Sequence, residues 1–486
     1  MTDKKHILLQ GFGSFPLNFK ALIEHARAAG DDSIEWSIIC TTGHYVKIFQ
    51  DLLGPDAVLY LQNDMKNYLD LPDLLDRLSN YEGNIYRNIE SEKRLIKGKK
   101  AHLQVRGAAA MYLSVKEFMQ KRKPTHVLFG QIEGMDGMTM LSVSKELGIP
   151  VLMPIHTRHL AETFFSPDHL ATLPPGRPVS KAAQAKAESF LQRFRSGQTG
   201  AVMIPSELIN VPDETWPFPR IGLLRRIYGV FRRMADEPDM REWEVLRAAI
   251  FFNLPLSANL YRDVKAWINR RIYDIKSIDK LPKRFAYYPM QYTPEASINT
   301  PAPYFIDQMR AIDAIRFALP SDMMLVVKEH PACIGVRWPG FLLSFQKKAG
   351  ILLARYNMPS EEIIEKADIV FSVTGTATLE AFLKGKPSLT LGNSFFTEFF
   401  GGATGVDALP QRVKQALAHP PTDQVIVKAI ARIFSISGPF VMGSPLETSS
   451  PFSKYSLNRT NIKFFYLHLR RELDFTPAQP TISEMT

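Results

Sequence analysis

The chain has 486 residues, which predicts two domains with connecting elements, and its 45% apolar and 22% charged residues are ordinary for a globular protein. No apolar run reaches the about 18 residues that a membrane-spanning helix needs, so no such helix is expected. Lys and Arg exceed Asp and Glu by ten (59 against 49), so an anionic partner is expected. No nucleic-acid module is recognisable, and no nucleic-acid partner is expected.

The first half of the chain alternates short apolar runs with helical periodicity. The runs predict strands at Lys5–Gln10, Trp36–Cys40, Ala57–Leu61, His126–Gly130, Val151–Pro154 and Ala201–Ile204. Helices are predicted at Leu17–Ala29, Val105–Lys121 and Thr139–Leu147. Strands separated by helices indicate an α/β fold with a mainly parallel sheet and helices on both faces.

The middle of the chain, residues 211–281, is rich in proline, tryptophan and arginine, and is interpreted as a linker or mostly helical insertion. The alternation then resumes, with strands predicted at Arg284–Pro289, Met323–Lys328, Gly350–Ala354, Asp368–Val373 and Ser388–Leu391. Helices are predicted at Tyr304–Ala318, Glu361–Ala367, Ala377–Leu383, Gln411–Ala418 and Thr460–Leu473. The predicted domains are residues 1–210, the middle segment 211–281, residues 282–450, and a C-terminal helix and tail at 451–486.

Three polar motifs follow predicted strands of the second half. They read Pro289-Met-Gln291, Lys328-Glu329-His330-Pro331, and Ser372-Val-Thr374-Gly375-Thr376-Ala-Thr378-Leu-Glu380. In open α/β sheets, ligands bind at the carboxyl ends of the strands. The three motifs therefore predict one ligand site at a single edge of the sheet.

The residue types in these motifs suit a nucleotide with a phosphate. A turn at Gly375 lets backbone N–H groups approach a phosphate, and the next helix offers its positive end. The expected hydroxyl donors are Ser372, Thr374, Thr376 and Thr378. Each motif taken alone is also consistent with an ordinary turn or helix cap.

The remaining motif residues would complete such a site. His330 would donate to a phosphate oxygen, and Lys328 would add positive charge. The amide of Gln291 has a donor and an acceptor, which suits a base edge or a sugar hydroxyl. Glu380 would accept a hydrogen bond from a ribose hydroxyl. His330 is equally expected as a structural histidine that caps a turn.

From about Phe285 to Phe400, the chain resembles the capsule polysaccharide synthesis family, whose characterised members transfer 3-deoxy-manno-octulosonic acid (Kdo) from its CMP-activated form. The similarity lies in Gln291, in His330-Pro331, in Thr374-Gly375-Thr376, in Glu380-Ala-Phe-Leu and in Gly385-Lys386-Pro387. The resemblance implies a GT-B fold, in which two Rossmann-like domains face a central cleft and the C-terminal domain holds CMP. GT-B sialyltransferases also use a His-Pro motif, so Kdo, sialic, legionaminic and pseudaminic acids all remain candidate donor sugars.

The catalytic groups of a GT-B enzyme are expected mainly in the N-terminal half. Glu133 and Asp136 follow the strand at His126–Gly130 and are candidates for a general base or a nucleophile. A glycine-rich polar loop with solvated acids explains the same pattern. After the first predicted strand, Gly11-Phe-Gly13-Ser14 is expected to form a tight turn.

The next predicted strand ends in His156-Thr-Arg158-His159. Members of the family usually have an acidic pair followed by glycine here, so a retaining Kdo mechanism is in doubt. His156 is a candidate general base for an inverting transfer, and Arg158 a candidate ligand for a sugar carboxylate. Ordinary loop packing is an equal alternative for both histidines. Asp168 is a further acidic candidate.

A membrane contact is predicted in residues 216–234, where Trp216 and Phe218 precede a two-sided helical pattern with four arginines on one face. The four are Arg225, Arg226, Arg232 and Arg233. A helix packed on its own domain explains the pattern equally well. Two cysteines and the lack of a cleavable signal pattern predict a cytoplasmic protein, peripheral at the inner membrane if this segment binds lipid.

The sequence therefore predicts a metal-independent glycosyltransferase without a cofactor, since no Asp-x-Asp motif or Cys/His cluster is present. It would transfer an acidic ulosonic sugar from a CMP-activated donor to a glycan or lipid-linked glycan acceptor in capsule or lipopolysaccharide assembly. The alternatives are a UDP-sugar or CDP-polyol enzyme, an epimerase on the same fold, and a non-catalytic scaffold. The acceptor, the linkage, the stereochemical outcome and the oligomeric state are left open.

Overall fold

The computed structural model describes residues 4–78, 83–91, 101–132, 134–175, 177–198, 255–293, 296–445 and 452–475. These residues form two compact units. Within the described part of the chain, unit 1 contains the residues up to Arg177 and those from Ile433 onward. Unit 2 contains Pro178–Gln198 and the described residues up to Arg432. The predicted strand at 201–204 and the segment 216–234 lie outside the described residues.

Unit 1 is built on a six-stranded sheet in the order β3-β2-β1-β4-β5-β6. Its strands are β1 (Lys5–Gly11), β2 (Ile34–Cys40), β3 (Val58–Tyr60), β4 (His126–Leu128), β5 (Val151–His156) and β6 (Thr163–Ser166). The first five are parallel, and β6 pairs antiparallel with β5, with Met153 opposite Ser166. The central strand β1 is buried over nearly its whole length, as expected when helices cover both faces.

The helices of unit 1 connect and cover these strands. They are α1 (Pro16–Ala28), α2 (Gly43–Leu53), α3 (Leu61–Asp64), α4 (Lys66–Leu69), α5 (Ile85–Ser91), α6 (Ala101–Arg122) and α7 (Gly134–Glu146). Helix α1 begins at a proline, which suits the first helical position, and buries Phe19, Leu22, Ile23 and Ala26 on one face. This spacing of three and four residues is why the segment forms a helix against the sheet.

Unit 2 is built on a five-stranded parallel sheet in the order β11-β10-β7-β8-β9. Its strands are β7 (Phe285–Pro289), β8 (Met324–Lys328), β9 (Ile351–Ala354), β10 (Ile369–Ser372) and β11 (Ser388–Thr390). All five were predicted to within about two residues at each end. The predicted α/β class with two parallel, Rossmann-like sheets is confirmed.

The helices of unit 2 come from two separated parts of the chain. They are α8 (Lys181–Arg195), α9 (Pro255–Asn269), α10 (Ala296–Asn299), α11 (Gln308–Ala318), α12 (Pro339–Phe345), α13 (Ser360–Lys366), α14 (Ala377–Leu383), α15 (Leu409–Ala418) and α16 (Asp423–Ile436), the last of which ends in unit 1. Arg195 of α8 pairs with Asp423 through two hydrogen bonds and donates to the Leu383 carbonyl. These bonds attach α8 to unit 2, although the predicted boundary at residue 210 put it in the first domain.

The end of the chain packs on unit 1. It contains α17 (Ser453–Ser456) and α18 (Arg459–Phe475). The Tyr466 hydroxyl of α18 donates to Asp31 at 2.6 Å, and Arg177 pairs with Glu472 at 2.9 Å. Phe440 and Phe465 stack at 5.2 Å between ring centroids within the core of unit 1. The predicted C-terminal helix is thus part of the first unit.

The order of strands in each sheet reverses once. In unit 1 the chain runs outward from β1 to β2 and β3, then returns to β4 on the other side of β1. In unit 2 it runs from β7 to β8 and β9, then returns to β10 on the other side of β7. Such reversals are the points where open α/β sheets bind ligands. Among the described helices, none is long and apolar enough to cross a membrane.

Candidate functional site

The loops after β7 and β10 meet at the reversal point of unit 2. The Gln291 amide donates from Nε2 to Oγ1 of Thr374 at 2.9 Å, and its Oε1 accepts from the Thr374 backbone N–H at 3.0 Å. Gln291 is 9% exposed, so both bonds are shielded from water. In this structure the Gln291 amide bonds to Thr374, and its role in reading a base edge or a sugar hydroxyl stays a prediction.

The loop that carries Gln291 is held by a second glutamine. Gln308, at the start of α11, donates from Nε2 to the Gln291 carbonyl at 2.7 Å. Its Oε1 accepts from the Gln291 N–H at 2.8 Å and from the Tyr288 hydroxyl at 3.1 Å. The backbone of Gln291 is therefore fixed on both its donor and its acceptor side.

The hydroxyl-rich turn after β10 uses most of its hydroxyl groups internally. Ser372 and Thr378 both donate to the Gly375 carbonyl, at 2.9 and 3.1 Å, and their oxygens lie 3.0 Å apart. Thr374 donates to the Ser297 carbonyl at 2.6 Å. Ser372, Thr374 and Thr378 thus shape the turn in this structure, and their role as ligand donors stays a prediction.

The same bonds leave the backbone of the turn available. Among the described residues, no acceptor bonds to the backbone N–H groups of Gly375 and Thr376. The Thr376 hydroxyl makes a long contact, 3.5 Å, to Oε1 of Glu380. Helix α14, which follows, has only seven residues. The phosphate-binding capacity of this turn therefore lies in its backbone and in Thr376 rather than in a long helix.

The His-Pro motif follows the neighbouring strand, β8. His330 is half-buried, and its Nδ1 accepts from the Ala332 N–H at 3.2 Å. An acceptor at Nδ1 places the proton of the neutral ring on Nε2. Pro331 is exposed and begins the short turn at Pro331–Cys333. Tyr292, next to Gln291, contacts the His330 ring edge to face at 5.9 Å, which brings the first two motifs together.

A buried ion pair between Glu329 and Arg337 holds the backbone of His330. Glu329 is 2% exposed, and its Oε1 accepts from the His330 backbone N–H at 2.7 Å. Its Oε2 accepts from Nε of Arg337 at 2.8 Å. Arg337 also donates to the Thr293 hydroxyl at 3.1 Å, in the loop after Gln291. Burial lowers the pKa of Arg337, but the Glu329 carboxylate outweighs it and raises the pKa overall.

Lys328 faces the interior rather than a ligand. Its Nζ donates to the Met358 carbonyl at 2.9 Å, and its side chain is buried. Burial lowers the pKa of Lys328 to about 8, partly opposed by the carboxylate of Glu380. The ammonium of Lys328 therefore makes an internal bond, and its predicted contribution of positive charge to the donor site stays a prediction.

The reversal point of unit 1 brings Gln10 and Asp136 together. Asp136 lies in the first turn of α7, directly after the loop that follows β4. Its carboxylate is 6% exposed, and Oδ2 accepts from Nε2 of Gln10, at the end of β1, at 3.4 Å. A glycine allows this approach, because a Cβ on Gly137 would lie 2.9 Å from Nε2 of Gln10.

Polar side chains after β5 and β6 accept hydrogen bonds from nearby backbone N–H groups. Nδ1 of His156 accepts from the Arg158 N–H at 3.0 Å, and its ring lies 4.4 Å from that of Phe452. Arg158 has a φ of 58°, in the left-handed region. Asp168 accepts from the N–H groups of Leu170 and Thr172, at 2.9 and 3.2 Å, and so caps a turn.

Most predicted donor-site residues therefore surround one sheet edge of unit 2, whereas the predicted catalytic residues Asp136 and His156 lie in unit 1. Glu133 lies outside the described residues. The sequence analysis missed Gln308, Thr293 and Arg337. A buried carboxylate such as that of Glu329 needs a cationic partner, and this need could have pointed to Arg337. Among the described residues, no group of three metal-ligating side chains is present.

Comparison with known proteins gives one family match. Residues 259–438 match the family described as capsule polysaccharide biosynthesis protein. The match confirms the predicted resemblance and covers Gln291, Glu329, His330 and the turn at 372–380. No curated protein matches the chain in sequence.

Several solved structures resemble the chain weakly. The beta Kdo 2,7 transferase of KpsC from Thermosulfurimonas dismutans is 15% identical, with 81% of this chain and 98% of that chain covered and a TM-score of 0.30. The beta Kdo 2,4 transferase of the same KpsC is 11% identical, over 63% and 87%, with a TM-score of 0.31. UDP-GlcNAc 2-epimerase from Methanocaldococcus jannaschii is 13% identical, over 89% and 99%, with a TM-score of 0.25. At these scores the structural matches do not define an activity.

Proposed function

We propose that this chain is a glycosyltransferase using a CMP-activated ulosonic acid, because its residues 259–438 match the capsule polysaccharide biosynthesis family. The donor sugar is of the Kdo, sialic, legionaminic or pseudaminic type. The acceptor is a glycan or lipid-linked glycan of the capsule or lipopolysaccharide, and the reaction takes place at the cytoplasmic face of the inner membrane. No metal ion takes part in this proposal.

One observation carries the proposal. Gln291 and Thr374 tie together the loops on both sides of the reversal point in unit 2, within the segment that matches the family. Parallel α/β sheets bind nucleotides at such a point. The bond aligns the turn at Gly375 so that two adjacent backbone N–H groups remain available for a phosphate.

The donor phosphate would be held by the backbone and by His330. The N–H groups of Gly375 and Thr376 and the Thr376 hydroxyl are donors of the kind that bind phosphate oxygens. The Nε2–H of His330 supplies one more. As the bond between the sugar carbon and the phosphate oxygen breaks, negative charge grows on the leaving CMP, and fixed donors stabilise that charge. Glu380 is proposed to accept from a ribose hydroxyl, and Arg158 to bind a sugar carboxylate.

We assign the reacting carboxylate to Asp136. It lies at the reversal point of unit 1, at the carboxyl ends of the neighbouring strands β1 and β4, and Gln10 orients it. A carboxylate serves either as a general base that takes the acceptor hydroxyl proton, with inversion, or as a nucleophile that attacks the sugar carbon, with retention. The anomeric configuration of the product distinguishes the two roles. His156 is less suited, because its Nδ1 is occupied by the Arg158 N–H.

The proposal is tested by release of CMP from synthetic CMP-Kdo and CMP-sialic acid, with UDP-GlcNAc and CDP-glycerol as comparison donors. We expect turnover of a CMP-ulosonate alone. His330→Ala should lower this turnover roughly a hundredfold, the usual effect of removing one donor that stabilises a developing negative charge. The matched control is His419→Ala, which removes an exposed histidine of unit 2 and should leave the rate unchanged.

Turnover of UDP-GlcNAc or CDP-glycerol in place of the CMP donors would contradict the donor assignment. Unchanged turnover of the His330→Ala variant, with its melting temperature also unchanged, would contradict the assigned role of His330. Binding of CMP without any turnover, in the presence of capsule oligosaccharides, would favour a non-catalytic scaffold.

A further inference from the structure

Helix α9 turns its large apolar side chains outward. Tyr261, Val264 and Trp267 follow each other at intervals of three residues and are 57%, 48% and 59% exposed. Of the neighbouring residues in the helix, Ala266 is 7% exposed, Asn269 is 2% exposed and Ile268 is half-buried. A helix that only covers its own domain shows the reverse pattern, with the apolar stripe toward the core. Packing within unit 2 therefore does not explain the exposed stripe of Tyr261, Val264 and Trp267.

The apolar surface continues onto the neighbouring loop and α12. Val336, Trp338 and Leu343 are 42%, 63% and 44% exposed. The two parts are joined directly, because Nζ of Lys265 donates to the Val336 carbonyl at 3.0 Å. Nδ2 of Asn269 donates to the Ile334 and Arg337 carbonyls, at 2.7 and 2.8 Å. We call this surface the aromatic–basic face; it comprises Tyr261, Val264, Lys265, Trp267, Arg271, Val336, Trp338 and Leu343.

Positive charge borders the exposed rings. The guanidinium of Arg271 lies 3.9 Å from the ring centroid of Trp267, and Nζ of Lys265 lies 4.5 Å from that of Tyr261. Residues 261–284 contain eight Lys and Arg against three Asp and Glu, a surplus of 8 − 3 = 5 positive charges. Exposed aromatic, aliphatic and cationic side chains thus share one surface of unit 2.

We propose that the aromatic–basic face binds the surface of an anionic phospholipid bilayer. Tryptophan and tyrosine favour the headgroup level, aliphatic side chains favour the acyl boundary, and lysine and arginine bind lipid phosphates. This binding is separate from the donor site. It also uses residues other than the segment 216–234, which lies outside the described residues.

Other occupants fit the composition less well. A second copy of the chain would bring two positively charged faces together, because a two-fold interface pairs each surface with itself. An acidic glycan would match the charge but would leave Val264, Val336 and Leu343 facing water. In addition, one face of the Trp267 and Tyr261 rings is already covered by a cation, which reduces the area for stacking on a sugar.

Vesicle flotation of the full chain tests the proposal. The probes are vesicles of phosphatidylcholine alone and of equal parts phosphatidylcholine and phosphatidylglycerol. We expect binding to the anionic vesicles that weakens with salt, and much weaker binding to the neutral ones. The double variant Trp267→Ala, Trp338→Ala should lower the bound fraction at least tenfold, and Arg271→Glu should lower it about fivefold or more.

The matched control is Phe317→Ala on α11. Phe317 is 72% exposed and lies 4.2 Å from the guanidinium of Arg316, so it is a similar aromatic–arginine pair outside the proposed face. Its variant should bind vesicles like the unmodified chain. Equal binding by the double Trp variant would overturn the proposal, as would failure of the unmodified chain to bind anionic vesicles. Concentration-dependent dimerisation that the Trp variant abolishes, without vesicle binding, would assign the face to a second copy instead.

Discussion

Gln291 and Thr374, 83 positions apart in the chain, are joined by two hydrogen bonds between the side-chain amide of the first and the hydroxyl and backbone N–H of the second. Both residues are buried, and each lies just after a strand of the same parallel sheet. The pair therefore fixes the shape of the turn that we propose for the donor phosphate. We therefore propose that Gln291 positions this turn.

Replacing Gln291 by alanine should weaken both the turn and donor binding. The change leaves the Thr374 N–H buried without its acceptor, which costs about 1–3 kcal/mol of unfolding free energy. We expect a raised KM for the CMP donor with a smaller change in kcat, measured by steady-state kinetics. Gln346→Ala, at an exposed glutamine that contacts Asp274, is the control and should change neither value. An unchanged donor KM in Gln291→Ala would show that the bond between Gln291 and Thr374 is not needed for donor binding.

The buried pair Glu329–Arg337 gives a second prediction. Arg337→Ala leaves the Glu329 carboxylate buried without its cation, which should cost about 3–5 kcal/mol in chemical denaturation. Arg337→Lys keeps the charge but loses the planar fork that reaches both Glu329 and Thr293. We expect the lysine variant to recover most of the stability while its donor KM remains raised. Full recovery of the donor KM by lysine would show that charge alone is needed.

The stability of the protein should depend on pH through Lys328. Its pKa in the folded state is about 8, below the ordinary value of 10.5, because of burial. Between these two pH values the unfolded chain binds more protons at this side chain, so this contribution to the unfolding free energy rises with pH. The slope approaches roughly 1.4 kcal/mol per pH unit within the window. Below pH 8 the lysine is protonated in both states, and its contribution is constant.

Lys328→Met isolates this effect. The unfolding free energies of the two proteins are measured by denaturant titration from pH 7 to pH 10.5. As pH rises, the unfolding free energy of the lysine form should increase relative to that of the methionine form. The methionine also removes the bond to the Met358 carbonyl, but that loss alone would shift the curve without changing its slope. Parallel curves for the two proteins would contradict the lowered pKa.

Asp136→Asn tests the assigned reacting carboxylate. Asparagine has nearly the same shape but neither accepts a proton nor attacks a sugar carbon well. We expect turnover to fall about a hundredfold to ten-thousandfold, while the CMP-induced rise in melting temperature is retained. Asp168→Asn is the contrasting variant, since Asp168 caps a turn and its loss should lower the melting temperature more than the rate. A normal rate in Asp136→Asn would move the chemistry to another residue.

The strands of unit 2 were predictable because each is a short apolar run bounded by polar residues. The sequence also placed the three motifs at the ends of adjacent strands. It did not show which way their hydroxyl groups point, since Ser372 and Thr378 look alike in sequence whether they face a ligand or the Gly375 carbonyl. It also did not find β6, because the antiparallel strand after β5 has no helix before it to mark its start.

Long-range attachment was harder to predict than local structure. Helix α18 packs on unit 1 through Tyr466 and Asp31, which are 435 positions apart, and no local pattern encodes that contact. Helix α9 lies in the segment that the sequence predicted as a linker or mostly helical insertion, but the sequence did not show that Tyr261, Val264 and Trp267 are exposed.

The most direct test of the donor assignment is the melting temperature of the purified chain with CMP, UDP, GDP and CDP in turn. A ligand that binds only the folded state raises this temperature by mass action. The account predicts a rise with CMP that is larger than with any other nucleotide and that is lost in His330→Ala but kept in His419→Ala. A larger rise with UDP or GDP, or equal rises in both variants, would contradict it.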